Sequence, residues 1–165
     1  MQIADIDFCV PADADELYEV ERSCFDVPWS RHFIAKDLEN LGVSVYLKAM
    51  LHCEIAGYGV LTRDGDAAHL MNIAVLPGFR GMGVALQLMI AFDEIAIDWQ
   101  CDRMNLEVRA ANQRARKFYD ELGFKFKKKT ARFYSDGEDA FILVAKLPLP
   151  IVVRGGADWS EEMGD

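Results

Sequence analysis

Between His69 and Ala91 the chain reads HLMNIAVLPGFRGMGVALQLMIA, and few folds admit such a run. Leu70 to Val75 is apolar and β-branched towards its end, as a buried strand should be. Pro77 and Gly78 break it. Arg80-Gly81-Met82-Gly83-Val84-Ala85 then leads into Leu86, Leu88, Met89, Ile90 and Phe92, which are spaced for a helix ending near Ile97 or Trp99. A glycine-rich helix start leaves several backbone N–H groups pointing one way. Together with the positive end of the helix dipole they make a site for a phosphate or pyrophosphate. The dinucleotide fingerprint G-x-G-x-x-G needs a third glycine, and Leu86 stands in its place. The G-K-[ST] tripeptide of the nucleotide P-loop is absent from the sequence.

The other elements follow from local pattern. Gln2 to Val10 alternates as a first strand and Pro11 ends it. Asp13 or Asp15 is placed to cap a helix bearing Leu17, Val20 and Cys24 on one face. Phe25-Asp26-Val27-Pro28-Trp29-Ser30 is a loop, since Pro28 disfavours helix before it, and Ser30 is placed to cap a second helix. Val43–Met50 and Cys53–Thr62 are strands, and Arg63–Asp66 turns into the strand of the opening run. Arg103 to Arg109 alternates, with Met104, Leu106 and Val108 on one face and Asn105, Glu107 and Arg109 on the other. Asn112 to Leu122 is a short helix that Gly123 terminates. Phe124 to Phe133 and Ala140 to Leu147 are the last strands, joined by a hairpin turn. The pattern predicts a single α/β (α+β) domain over residues 1–147. A mobile acidic tail is expected over residues 148–165.

Composition narrows the function classes. With 165 residues, 52% apolar and 27% charged, the chain has the make-up of a globular domain. Its net charge is 18 − 27 = −9, which argues against unspecific nucleic-acid binding and suits a basic protein tail as partner. Neither a membrane-length apolar run nor a signal peptide is readable in it, so a cytoplasmic protein without a membrane partner is expected. Cys9, Cys24, Cys53 and Cys101 show no metal spacing and read as reduced core residues. His32, His52 and His69, isolated from one another, read as surface or packing histidines, and no metal is expected.

Three positions carry two readings each. Glu107 sits mid-strand between apolar neighbours. It is either a solvated or salt-bridged glutamate, or a general base near the phosphate-site strand. Tyr119 is either a core aromatic or a proton donor. The aromatics of the Phe25–Ser30 loop either close over the core or form one wall of a substrate pocket.

The pattern R-x-x-G-x-A at Arg80, Gly83 and Ala85, directly after a strand ending in IAVLP, resembles motif A of the Gcn5-related N-acetyltransferases (GNAT), [QR]-x-x-G-x-[GA]. LEVRAANQRARKFYDELGFK, residues 106 to 125, resembles the motif B run LEVRxxNxxAxxxYxxxGF of RimI-type protein N-terminal acetyltransferases. FDVPWS is similar to their FPWS loop, departing at Asp26 and Val27, and FYSDGEDAFIL resembles their YYxxGEDAxxM ending. The likeness covers residues 5 to 147 and implies a mixed central sheet of six or seven strands with helices on both faces.

This resemblance implies acetyl transfer from acetyl-CoA to a protein N-terminal amine, with alanine of a ribosomal protein as acceptor, by direct attack and without a metal. It implies Glu107 as general base and Tyr119 as general acid. The backbone of Ile73, Ala74 and Val75 would meet the acetyl and pantetheine parts, with Val75 N–H a candidate oxyanion donor. Arg80, Gly81, Met82, Gly83, Val84 and Ala85 would hold the pyrophosphate, with Leu86 at the edge. Asn112 would touch the cofactor, and Phe25, Val27, Trp29 and Tyr134 would line the peptide pocket. The rival readings are the same fold acting on a small-molecule amine or a lysine, and a non-catalytic acyl-CoA-binding module. A monomer or weak dimer is expected.

Overall fold

The computed structural model describes residues 1–151. Seven strands and four α-helices follow one another along the described residues: β1 (Asp5–Phe8), α1 (Ala14–Cys24), α2 (Arg31–Glu39), β2 (Ser44–Leu51), β3 (Glu54–Asp64), β4 (Ala67–Val75), α3 (Val84–Asp98), β5 (Arg103–Arg109), α4 (Gln113–Glu121), β6 (Lys125–Thr130) and β7 (Ala140–Lys146). The strands form one sheet in the order β1-β2-β3-β4-β5-β7-β6. It is mixed: β4 and β5 are parallel, whereas β1–β2, β2–β3, β5–β7 and β6–β7 are antiparallel. A parallel pair needs a long crossover, and α3 supplies it between β4 and β5. This is the α/β class that the alternation of patterns predicts.

The described residues divide into two compact units. The first comprises Met1–Thr62 with Asn72–Phe92. Its core gathers Leu17 and Val20 of α1, Ile34 and Leu38 of α2, Tyr46, Ile55, Tyr58 and Val60 of β2 and β3, and Ala74 of β4. Each fully buried aliphatic side chain of this kind contributes about 1.5–3 kcal/mol. Phe25 and Trp29 pack against this core while only partly buried, and Val27 is exposed. Helix α2 starts as its sequence predicts: Ser30 Oγ accepts the Phe33 N–H at 3.0 Å. Helix α1 differs. Asp13 does not cap it through its side chain; the carboxylate accepts from Val10 N–H at 2.8 Å and Lys48 Nζ at 2.9 Å.

The second unit comprises Arg63–Met71 and the described residues from Asp93 onward. Here Ala67 to Leu70 pair with Arg103 to Leu106. Strand β4 therefore starts three residues earlier than apolar pattern suggests, because a ladder partner extends it past the apolar run. Asn112 caps α4, its Oδ1 accepting Ala115 N–H at 3.1 Å, and Gly123 ends the helix at φ +94°. Leu149 and Ile151 are buried beyond the expected domain end, with Leu149 N–H donating to Asp93 at 3.0 Å. The rest of the expected acidic tail, residues 152–165, lies outside the described residues.

Cys53 corrects the reading of the cysteines as core residues. It is exposed, at φ +64°, in the two-residue β2–β3 turn with His52 at φ +51°. A two-residue hairpin turn selects residues by backbone twist, not by burial.

Candidate functional site

In the first unit, β4 leads through a single 3-10 turn, Pro77–Phe79, into the glycine loop and α3. Gly81 and Gly83 adopt φ +77° and +81°, a region that costs other residues about 1–2 kcal/mol. The first intrahelical bond runs from Gln87 N–H to Gly83 O at 3.1 Å. The N–H groups of Gly83, Val84, Ala85 and Leu86 therefore have no acceptor within α3, and they sit at its positive end. Leu86 and Val84 side chains are fully buried, so what these residues can offer a ligand is backbone. The Arg80 Nε–H donates to Val75 O at 3.1 Å, which bends the loop back over the end of β4. The Cys24 thiol donates to the same carbonyl at 3.2 Å, and burial pushes its pKa up. Met1 lies against Gly83: a Cβ built there would come within 2.6 Å of its side chain. N–H groups without an acceptor in α3, beginning at a glycine that brings no side chain of its own, fit a pyrophosphate.

The same unit holds a buried carboxylate that sequence pattern did not single out. Glu21 of α1 is only 2% exposed. Its Oε1 accepts from Tyr58 Oη–H and Asn72 Nδ2–H, each at 2.7 Å, and its Oε2 from Trp29 N–H at 2.9 Å. Asn72 directly precedes Ile73, Ala74 and Val75, of which Ala74 is buried and the other two partly exposed.

In the second unit, Glu107 of β5 does not stand alone. His69 of β4 pairs in register with Asn105, so His69 and Glu107 share one face and meet on the diagonal. His69 Nε2 lies 2.5 Å from Glu107 Oε2, and both side chains keep about a quarter of their exposure (26% and 24%). The hydrogen bond to the carboxylate raises the His69 pKa, against the opposing effect of burial. His69 is thus no isolated packing histidine. The parity of β4 and β5 in a parallel register was the signal that could have paired it with Glu107.

Burial raises the Tyr134 phenol pKa, the Arg109 charge opposes that rise, and the charge on Glu107 adds to it. The ring is held from above by Arg109, whose guanidinium carbon lies 4.1 Å from the ring centroid. Arg109 is itself tied to Asp136 at 2.8 Å and Glu138 at 2.6 Å. Glu138 also accepts the Ala111 N–H at 3.2 Å, joining the hairpin to the turn before Asn112. Burial, with Tyr134 nearby, raises the Tyr119 phenol well above its usual range, so its proton is retained at neutral pH. The core reading of Tyr119 is met: the residue is buried and its ring packs on Phe124 at 5.6 Å. Among the described residues no cluster of three or more His, Cys, Asp or Glu could hold a metal ion, and no helix is long and apolar enough to cross a membrane.

The model of the acetyltransferase (GNAT) family matches residues 14–124. A Bacillus subtilis protein, named provisionally as a ribosomal protein bS18-alanine N-acetyltransferase, is 31% identical over 132 residues, covering 79% of this chain and 87% of its own. An N-alpha-acetyltransferase of Sulfolobus acidocaldarius is 28% identical over 152 residues, covering 82% of this chain and 88% of its own. The crystal structure of the ribosomal-protein-S18-alanine N-acetyltransferase from Escherichia coli superposes with a TM-score of 0.79 at 25% identity, over 87% of this chain and 94% of that one.

Proposed function

The chain belongs to the GNAT family of acetyltransferases, and from that premise we propose that it acetylates the N-terminal α-amine of a protein whose first residue is alanine. The observation that carries the chemistry is the Glu107–His69 pair, a carboxylate and an imidazole in direct hydrogen bond with a quarter of their surface open. The substrate class is supported by the relatives named for alanine and N-α acetylation and by the partly buried aromatics Phe25, Trp29 and Tyr134.

Acetyl-CoA, when bound, supplies a thioester-activated acetyl group. Arg80 and the backbone of Gly81, Met82, Gly83, Val84, Ala85 and Leu86 hold its pyrophosphate, Ile73 to Val75 align its pantetheine arm, and Asn112 contacts it with the side-chain nitrogen left over from capping α4.

The α-ammonium has a pKa of about 8, so a modest base frees the amine near neutral pH. Glu107 takes that proton, directly or through water, and shares it with His69. The pair is basic only while His69 is neutral; once the imidazole is protonated it becomes a closed ion pair. Tyr119 gives its phenolic proton to the departing thiolate, whose thiol pKa is about 8.5. Val75 N–H faces the developing oxyanion. Cys24 is unsuited to a covalent route, because its proton is engaged with Val75 O and burial raises its pKa.

Mass spectrometry tests the reading. The chain and acetyl-CoA are mixed with peptides beginning Ala, Ser or Met, a blocked peptide with a free lysine, and a polyamine. Acetylation of free N-termini with Ala best is the expected result; acetylation confined to the lysine peptide or polyamine refutes the substrate class, and cofactor binding without turnover on any acceptor refutes the enzyme.

A further inference from the structure

Position 21 lies four residues after Leu17 and next to Val20, on the face of α1 that packs into the core. An apolar side chain would satisfy that environment. A carboxylate there is costly unless its oxygens are well hydrogen-bonded. The cost is offset by three neutral donors from three different elements: Tyr58 O–H from β3, Asn72 N–H from β4, and the backbone N–H of Trp29 from the α1–α2 loop. Asn72 also donates to Tyr58 Oη at 3.0 Å, which closes the network.

The three attachments are unequal. Tyr58 and Asn72 stand on strands that backbone ladders hold in place. The loop from Phe25 to Ser30 has no ladder. Phe25 N–H bonds to Glu21 O at its start, and Ser30 caps α2 at its end. Between these points Pro28 has no N–H to donate, and Trp29 N–H goes to Glu21 Oε2. Glu21 thus ties the segment bearing Phe25, Val27 and Trp29 to the residue that precedes Ile73–Val75. Only a carboxylate presents acceptors alone to three converging donors; glutamine brings two donors of its own.

We propose that Glu21 is a positioning residue for acceptor binding: it touches neither substrate, and by holding Trp29 it sets the Phe25–Ser30 wall against β4. This rests on the reading of that loop as part of the peptide site.

The test is Glu21→Gln in the full chain, with Tyr58→Phe as companion, since the latter removes one donor and leaves the Trp29 bond intact. Hydrogen exchange reports the anchor without any substrate. In Glu21→Gln, exchange over residues 25–30 is expected to rise about 10-fold or more, with β3 and β4 unchanged, as befits a lost charge-assisted bond. Steady-state kinetics report the function. The KM for an Ala-starting peptide is expected to rise about 10-fold, with kcat and the KM for acetyl-CoA within about twofold. Tyr58→Phe is expected to leave both KM values near wild type. Unchanged exchange at 25–30, a rise spread over the whole chain, an equal rise in both KM values, or a Tyr58→Phe variant that matches Glu21→Gln overturns the proposal. Wild-type protein that leaves the peptide unmodified overturns the acceptor reading instead, and the exchange data then show whether the anchor itself is real.

Discussion

Glu107→Gln separates chemistry from packing, because the substitution keeps shape and removes only the charge. The structure gives Glu107 one strong partner, His69 at 2.5 Å, on a strand face that retains a quarter of its exposure. A positioned general base contributes about 10²–10⁴ in rate. His69 remains in the variant as a weaker base, so the lower end applies: kcat should fall about 100-fold, or about 2.7 kcal/mol of transition-state stabilisation. Calorimetric affinity for acetyl-CoA should stay within about twofold. Stability gives a second, independent reading. The folded His69 pKa is raised by Glu107, so the protonated imidazole stabilises the fold. That contribution is fully present below the unfolded value of about 6.5 and is lost as pH rises through the raised folded value. A partly exposed pair of this kind is worth about 1 kcal/mol. Urea unfolding should therefore show Glu107→Gln destabilised by about that amount at pH 5.5, with the deficit shrinking at pH 8.5. The acidic limb of kcat/KM should move down towards the ordinary histidine value in the variant. A deficit independent of pH, or a loss of acetyl-CoA affinity as large as the loss of kcat, would refute the reasoning and make Glu107 a structural residue.

Gly83→Glu should abolish acetyl-CoA binding in calorimetry, since it forces φ +81° on a substituted residue, displaces Met1, and brings a negative charge to the positive end of α3; near-normal affinity would remove the pyrophosphate site from this loop. Tyr119→Phe loses one hydroxyl and no ring packing, so kcat should drop about 100-fold while the unfolding midpoint stays close to wild type. A large loss of stability with little loss of kcat would instead assign Tyr119 to the core alone. Ser30→Ala removes the acceptor of Phe33 N–H and should cost about 1 kcal/mol in urea unfolding, with peptide KM rising because the same residue ends the acceptor loop.

Much of this protein is local and therefore readable along the chain. Ser30 and Asn112 are caps by residue type, and both accept the N–H three residues on. Gly81, Gly83 and Gly123 occupy backbone conformations that glycine alone adopts cheaply. The alternation in Arg103–Arg109 places Glu107 on the face opposite buried Met104, Leu106 and Val108, because side-chain direction has a period of two residues. The α/β class follows from the succession of such patterns. What the chain does not display is which distant residues share a face. His69 and Glu107 are 38 positions apart, and their contact depends on the register of a parallel ladder that begins at Ala67 and Arg103. Arg109 reaches Tyr134 and Glu138 across a β5–β7 pairing that closes only after α4 and β6 have been laid down. Glu21 looks like one more acidic residue on an acidic helix until Tyr58, Asn72 and Trp29 converge on it from separate elements. Backbone preference acts over a few residues and is written in the sequence. The pairing of charges and donors depends on register, crossover and burial, and those exist only once the whole sheet has formed.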